Sequence, residues 1–204
     1  MAGRPRSFDR EQALARAMEV FWAKGYSDTS MAELTAAMGV NAPSLYAAFG
    51  SKEQLFREAI AFYQQTEGGE VWDRLDGPTP AREAIEGLLL AVADSAACSD
   101  RPSGCLVVLS GAYPDSLPKG ACAELTDLRR RTRDRLEQRL RRARAEGEIG
   151  EAADPAEIAA FYSTVHQGMT FRARDGAAPE ELRGTAQAAM LAWEGLARGA
   201  RSSA

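Results

Sequence analysis

The sequence predicts an all-α protein of about nine helices, with an N-terminal helix-turn-helix domain followed by a larger helical domain. Three observations favour this class. In most segments apolar residues recur at i, i+3, i+4 and i+7, the spacing of a helix packed on one side. Breaks containing Gly and Pro, such as 77–80, separate these segments. Only 105–112 is rich enough in β-branched residues to suggest a strand, and a short buried helix fits that segment equally well.

The first helix is predicted to begin after Asp9, a good N-cap, and to end at Lys24 and Gly25. Glu11 in the first turn suits the positive end of the helix dipole. The apolar stripe of this helix consists of Leu14, Ala17, Met18, Phe21 and Trp22.

Two short helices with a tight turn are predicted within residues 30–49. Ser30 and Glu33 have the spacing of a capping box, so a helix begins just after Ser30. Gly39 ends this helix, and Asn41 is a good N-cap for the next one. Two helices joined in this way form a helix-turn-helix, whose second helix lies in the DNA major groove. An ordinary helical hairpin in a bundle core is the alternative.

The second of these helices argues against the hairpin alternative. It is only about two turns long, and its small outward residues leave room for another surface to approach. Tyr46 projects a hydroxyl from this otherwise bare face. The small outward residues are Ala42, Pro43, Ser44 and Ala47.

A fourth helix, predicted over 51–67 with Ser51 as its cap, connects a domain of residues 1–50 to a larger domain of residues 51–204. The later helices are expected over 81–99, 124–146 and 155–175, and from Pro179 onward.

The helix predicted over 124–146 is rich in arginine, with nine arginines between Arg129 and Arg144. A second DNA surface is one interpretation. A solvated face is favoured, because a narrow seam of leucines buries one side and Asp134 and Glu137 interleave the charges.

Composition gives little support to catalysis or to membrane insertion. The net charge is −4, and residues 1–65 hold seven basic and seven acidic side chains, so a DNA surface must be argued locally. No stretch of about 18 apolar residues and no secretory signal is present, which predicts a cytoplasmic protein. The single His166 lacks partners at metal-ligand spacing, and no metal or cofactor is expected.

The helix-turn-helix region resembles the DNA-binding domain of the TetR family of one-component repressors. The resemblance covers roughly residues 8–65 and rests on Gly25-Tyr26, Thr29-Ser30, Leu34, Gly39-Val40, Ser44-Leu45-Tyr46, Phe49, Ser51-Lys52-Glu53 and Leu55. It implies an all-helical homodimer whose larger domain binds a small-molecule inducer of unknown identity, which releases a near-palindromic double-stranded DNA operator. Many relatives carry aromatic or His residues where this chain has Ala47-Ala48. Base contacts from these positions are therefore expected to be weak or apolar.

The expected DNA contacts divide into phosphate and base contacts, since phosphate contacts position a protein and base contacts give specificity. Ser51 and Lys52 also present free N–H groups at a helix N-terminus, a ready anion site. The residues expected to contact phosphates are Thr29, Ser30, Tyr46 and Lys52, together with Arg4 and Arg6 in the N-terminal arm. The residues expected to contact base edges are Asn41, Ala42, Pro43, Ser44 and Ala47.

The expected ligand and dimer contacts lie in the larger domain. His166 and Gln167 would orient a ligand in an apolar pocket, although a satisfied interior or interface polar pair is the slightly favoured interpretation. The expected pocket walls are Phe62, Leu89, Val92, Leu109, Tyr113, Tyr162 and Phe171. The last two helices are expected to form a two-fold interface with an apolar core of Phe161, Met190 and Trp193.

Three alternatives stay open. Cys98 and Cys105 would make a thiol-sensing repressor of the same fold if one of them were a reactive thiolate. Small hydrophobic filler is the favoured interpretation of the three cysteines, because free Cys is among the most buried residue types. An enzyme or a non-regulatory helical binding module is less favoured, and the latter leaves the helix-turn-helix motif unexplained.

Overall fold

The computed structural model describes residues 8–98, 100–112 and 114–199, and all regular structure in these ranges is helical. It has eleven α-helices, nine of which are six residues or longer, and one turn of 3-10 helix at Pro114–Ser116. None of the described helices is long and apolar enough to cross a membrane. The helices are α1 Arg10–Lys24, α2 Met31–Met38, α3 Ala42–Phe49, α4 Lys52–Gln65, α5 Gly69–Asp73, α6 Ala81–Ala97, α7 Leu106–Ser110, α8 Lys119–Ala145, α9 Pro155–Arg174, α10 Pro179–Met190 and α11 Trp193–Arg198.

Some element bounds differ from the predicted ones. The ambiguous segment 105–112 contains the short helix α7. The arginine-rich helix α8 begins at Lys119, five residues before the predicted start. The last predicted helix is two helices, α10 and α11, because Leu191 and Ala192 form a turn between them.

The first hydrophobic core lies under the helix-turn-helix. α1 packs against α2 and α4, and α3 is held by the fully buried Leu45 and Phe49. This core continues past residue 50, since Leu106 and Leu125 also belong to it. The helix-turn-helix is therefore packed on the same apolar cluster as α7 and the start of α8.

The second core joins α6, the second half of α8, α9, α10 and α11. Tyr162 lies fully buried in it and donates a hydrogen bond from its hydroxyl to the Ala189 carbonyl at 3.3 Å. The tilted ring of Trp193 lies 6.1 Å from that of Tyr162, measured between centroids. The last three helices are thus fixed to one another within a single chain.

Two arginines of α8 hold the loop before α6 in place. Arg139 is buried, pairs with Glu148 at 2.7 Å and donates to the Thr79 carbonyl at 2.7 Å. Arg142 donates to the Gly77 carbonyl at 2.6 Å and to the Leu75 carbonyl at 3.2 Å. The prediction of a simply solvated arginine face is thus incomplete, because part of the face binds loop carbonyls.

Hydrogen bonds also join the helix-turn-helix to the rest of the chain. The Trp22 indole Nε1 donates to the Gly104 carbonyl at 2.9 Å in a buried contact. Arg174 at the end of α9 donates to the carbonyls of Trp22 and, at 3.3 Å, Ala23. Ser27 donates from Oγ to the Ser116 carbonyl at 2.6 Å. These contacts place the last turn of α1 against the larger domain.

Candidate nucleic-acid interface and ligand cavity

The turn between α2 and α3 is fixed by local capping. Ser30 Oγ accepts from the Glu33 N–H at 3.2 Å, and the Glu33 carboxylate accepts from the Ser30 N–H at 2.8 Å. Gly39 ends α2 with φ of +67°, which a residue with a Cβ adopts only under strain. Asn41 Oδ1 then accepts from the Ser44 N–H at 2.9 Å. The sequence thus sets the direction of α3 through three adjacent caps.

The outward face of α3 is small and exposed. Tyr46 is the large side chain on this face, with 50% of its surface exposed. Ser44 is half-buried, and its N–H is used by the cap. The exposed residues at and along α3 are Asn41, Ala42, Pro43, Tyr46 and Ala47.

Lys52 begins α4, three residues after α3 ends at Phe49. Its Nζ lies 4.3 Å from the centroid of the Tyr26 ring, a cation–π contact. Burial lowers the pKa of Lys52, while the charges of Asp28 and Glu33 raise it. The ammonium group is thus held over the Tyr26 ring, within the electrostatic influence of Asp28 and Glu33.

The structure corrects one expected DNA contact. Thr29 is 1% exposed, and its hydroxyl donates to the Gly25 carbonyl at 2.6 Å. The expectation that Thr29 contacts phosphate is wrong, because this side chain closes the turn after α1. The neighbouring Ser30 is exposed. Arg4 and Arg6 lie outside the described residues.

Two adjoining chambers lie among α1, α4, α5, α6, α8 and α9. The arginine chamber, of about 400 Å³, is lined by α8 residues that include Arg129 and by Ser163 and Gln167 of α9. The Trp22 chamber, of about 570 Å³, is lined by Trp22 and by residues of α6 that include Val92. They share the wall residues Tyr63, Gly68, Trp72, Cys105 and His166.

Only part of the expected pocket lines these chambers. His166 lines both, Gln167 lines the arginine chamber and Val92 lines the Trp22 chamber. Leu89 and Tyr162 were expected here but are fully buried in the second core, so they are corrected to structural residues.

The remaining expected wall residues lie elsewhere. Phe62 packs against the first core, next to Tyr63, which faces the chambers instead. Leu109 and Phe171 line a separate hollow beside the end of α1. These three are wrong as wall residues of the two chambers. Tyr113 lies outside the described residues.

Sequence reasoning missed several wall residues. Ser163 carried a usable signal, because it stands one helical turn before His166 and Gln167 and shares their face. Tyr63, Trp72 and Cys105 carried none, since they come together only through the packing of α4, α5 and α7.

His166 is neutral in this environment. Burial lowers its pKa to about 4 from the ordinary 6.5. Its ring packs edge-on against Trp72, with 5.2 Å between centroids. The wall shared by the two chambers is therefore aromatic and uncharged at neutral pH.

Comparison with known proteins identifies the family. The profile described as "Bacterial regulatory proteins, tetR family" matches residues 13–59, and that of "Tetracyclin repressor-like, C-terminal domain" matches residues 81–189. The HTH-type transcriptional repressor ComR of Escherichia coli K12 is 35% identical over 200 residues, 96% of this chain and 94% of ComR. The chain belongs to the TetR family. It is therefore a DNA-binding transcriptional regulator, and the prediction of an all-helical, non-enzymatic protein of this family is confirmed.

Other known proteins are similar to this chain over most of their length. The HTH-type transcriptional repressor BdcR of Escherichia coli K12 is 32% identical, covering 90% of this chain and 88% of BdcR. A solved structure of a cysteine mutant of the TetR-family regulator CifR, complexed with 26-base-pair operator DNA, is 42% identical with a TM-score of 0.87. It covers 94% of this chain and all of the CifR chain. The reduced form of Escherichia coli NemR is 20% identical and has a TM-score of 0.76, so it shares the fold. The match covers 88% of this chain and 94% of NemR.

The dimer residues expected for this TetR-family chain are partly corrected. Met190 is 5% and Trp193 4% exposed within a single protomer, so neither offers an apolar surface to a partner. Phe161 is 37% exposed, and Leu191, which sequence reasoning did not select, is 83% exposed. The sequence carried no signal for Leu191, because the turn between α10 and α11 that exposes it was predicted as continuous helix.

The neutral His166 predicts a pH dependence of stability. Its pKa is lower in the folded state, so the unfolded chain binds more protons between about pH 4 and 6.5. The stabilising contribution is complete above the ordinary pKa and is lost as the pH falls. We expect urea unfolding to show about 2 kcal/mol less stability at pH 5 than at pH 7.5 from this residue alone. His166→Gln should lack this component, and an equal loss in that variant would contradict it.

Proposed function

We propose that this protein is a ligand-responsive repressor that binds a near-palindromic operator as a homodimer and is released by a small-molecule inducer. The observation that carries the proposal is the position of the two chambers, which together form one cavity. Trp22 of α1 lines the Trp22 chamber, and Tyr63 of α4 lines both chambers. Helix α4 also packs against the recognition helix α3, and α1 packs against α2 and α4. A molecule in the cavity thus touches the DNA-binding domain directly. Such a repressor acts in the cytoplasm, where the operator DNA is.

On the operator, α3 enters the major groove with its exposed small face. Ala42, Pro43 and Ala47 offer apolar contact to thymine methyl groups, and Asn41 and Ser44 are the polar residues within reach of base edges. Ser30, Tyr46 and Lys52 contact phosphates and set the register. Two-fold symmetry puts the two recognition helices about 34 Å apart, one DNA turn.

The dimer surface is formed by exposed small and apolar residues of α9 and α10. A Cβ added at Gly168 or Gly184 would meet nothing within 4 Å in the protomer, so both positions leave room for a partner helix. Isologous packing of α9 and α10 would bury these positions against the same positions of a second copy. We define the dimer surface as Phe161, Thr164, Gly168, Gly184, Ala188 and Leu191.

Induction follows from the junction at Trp22. The Trp22 indole donates a hydrogen bond to the Gly104 carbonyl. The next residue, Cys105, lies in the wall shared by both chambers. A ligand that separates Trp22 from Gly104 would shift α1 and, through α4, the spacing of the two recognition helices. The ligand acts only through its different affinity for the DNA-bound and released states.

Selection of bound sequences from a randomised double-stranded DNA library tests the proposal. We expect enrichment of one near-palindrome, and release of that operator by at least one compound of a small-molecule library. The variant Trp22→Phe keeps the ring and loses the indole donor, so it should bind operator and respond less to that compound. No enrichment over random DNA would contradict the proposal.

Phosphate contacts predict how two substitutions change binding. Lys52→Ala should weaken binding to all sequences alike and reduce the slope of log affinity against log salt by about one. Tyr46→Phe should also weaken all sequences alike, with the slope unchanged because no charge is lost. Arg82→Ala, an exposed cation on α6, is the control and should leave the slope as it is. A changed operator preference in either variant would assign that residue to base recognition instead.

A thiol-sensing repressor is the second candidate, because Cys98 and Cys105 line the same Trp22 chamber. Burial raises the pKa of the Cys105 thiol, which keeps it protonated and poorly reactive. We therefore expect peroxide to leave operator binding unchanged in a gel-shift experiment. Reversible loss of the complex that is abolished by the triple substitution of Cys98, Cys105 and Cys122 to Ser would favour the second candidate.

A further inference from the structure

Arg129 brings an uncompensated charge to the arginine chamber. Its Nη1 is buried and has no hydrogen-bond partner in the described part of the chain. Its Nη2 donates to Thr126 Oγ1 at 3.2 Å, which is a neutral acceptor. The guanidinium lies against Gly111, where a Cβ would collide with it. The described residues thus leave space for this guanidinium without supplying a counter-charge.

The other arginines of the chamber are already paired. Arg135 Nη2 contacts Asp73 at 3.1 Å and Asp76 at 2.6 Å. Arg133 stands 3.8 Å from Asp134 at the exposed rim. Asp73 is the one carboxylate among the described lining residues, so none is left for Arg129.

A second unsatisfied group faces the same chamber from α9. Ser163 Oγ is buried and has no partner among the described residues, and a hydroxyl can donate to an anion. His166, one helical turn further along, is neutral and brings no charge of either sign. The charge of a ligand here would therefore be balanced by Arg129 alone.

The rest of the chamber suits a compact apolar body. Tyr63 and Trp72 supply aromatic walls, and Val107 and Val108 supply aliphatic ones. The volume of about 400 Å³ lies at the lower end of the range for small-molecule sites. One unpaired guanidinium matches one negative charge, which favours a carboxylate over a doubly charged phosphate.

We propose that the arginine chamber binds a small organic monocarboxylate, with its carboxylate on Arg129 and Ser163 and its apolar body between Tyr63, Trp72 and Val108. This inference rests on the proposed function, since it names the chemical class of the inducer. It predicts that acidity of the ligand, rather than its size alone, decides binding.

Matched acids and amides test the proposal by titration calorimetry on the DNA-free protein. The probes are benzoate with benzamide, phenylacetate with phenylacetamide, and 2-naphthoate with 2-naphthamide. We expect at least one acid to bind tenfold or more tightly than its amide. Arg129→Met should abolish this preference, Arg129→Lys should keep part of it, and Arg130→Met, exposed on the same helix, should keep all of it. No acid preference in any pair, or a preference that survives Arg129→Met, overturns the proposal.

Thermal unfolding of the ligand-free variants separates a binding role from a structural one. An unpaired buried charge contributes no stability, so Arg129→Met should melt no lower than Arg130→Met. A markedly lower melting temperature would make Arg129 a structural residue and overturn the proposal. Release of operator from the wild-type protein by the neutral amides, but by none of the acids, would contradict this inference alone. Absence of operator binding alongside an intact acid preference would contradict the proposed function alone.

Discussion

Replacing Leu191 with aspartate should convert the homodimer into monomers and weaken operator binding about a hundredfold or more. Leu191 is 83% exposed in the protomer and belongs to the proposed dimer surface. A carboxylate there would be buried without a partner when two copies meet. Binding of two linked half-sites increases the affinity by a factor of about 10²–10⁴, and this gain is lost when the two DNA-binding domains are no longer joined in a dimer. Sedimentation and gel-shift titration measure both effects.

The matched control is Thr185→Asp, which places the same charge on an exposed residue of α10 that is not part of the proposed dimer surface. It should remain dimeric and bind operator normally. An intact Leu191→Asp dimer would exclude this surface as the interface.

Trp193→Asp should abolish the cooperative fold rather than produce folded monomers. Trp193 is 4% exposed and packs on Tyr162 in the second core. Truncating a buried Trp costs about 3–5 kcal/mol, and burying an unpaired carboxylate adds to this loss. Total stabilities of roughly 5–15 kcal/mol leave little after such a change. Circular dichroism and urea unfolding measure it.

Trp193→Phe keeps an apolar ring at this position and should remain folded and dimeric. A Trp193→Asp protein that is monomeric yet unfolds at the wild-type urea concentration would support the interface role expected from the sequence.

The helix-turn-helix could be predicted closely because its bounds are set by neighbours in sequence. Ser30 with Glu33, Gly39 and Asn41 each act within about four residues, and the structure forms each of these caps. Thr29 was misassigned for a related reason. Its hydroxyl donates a hydrogen bond to the Gly25 carbonyl, four residues earlier. A sequence motif does not distinguish a residue that closes a turn from one that contacts a ligand.

The interface and the cavity could be predicted only in part, because they depend on tertiary packing. An apolar stripe shows that Met190 and Trp193 are buried, but not whether their own chain or a second chain covers them. Leu89 was likewise apolar and helical, yet it faces the second core. Arg129 looked like one of nine similar arginines, and its place beside Gly111 and its unpartnered Nη1 became visible only in the packed structure.

The two indoles in the cavity wall give the molecule an optical reporter of its own. The chain has three tryptophans, of which Trp22 and Trp72 line the chambers while Trp193 lies in the second core. Emission from Trp22 and Trp72 responds to solvent displaced by an incoming ligand, whereas Trp193 supplies a constant internal reference. Occupancy of the cavity and the state of the Trp22–Gly104 junction can therefore be followed in real time, without a label and in the presence of operator DNA.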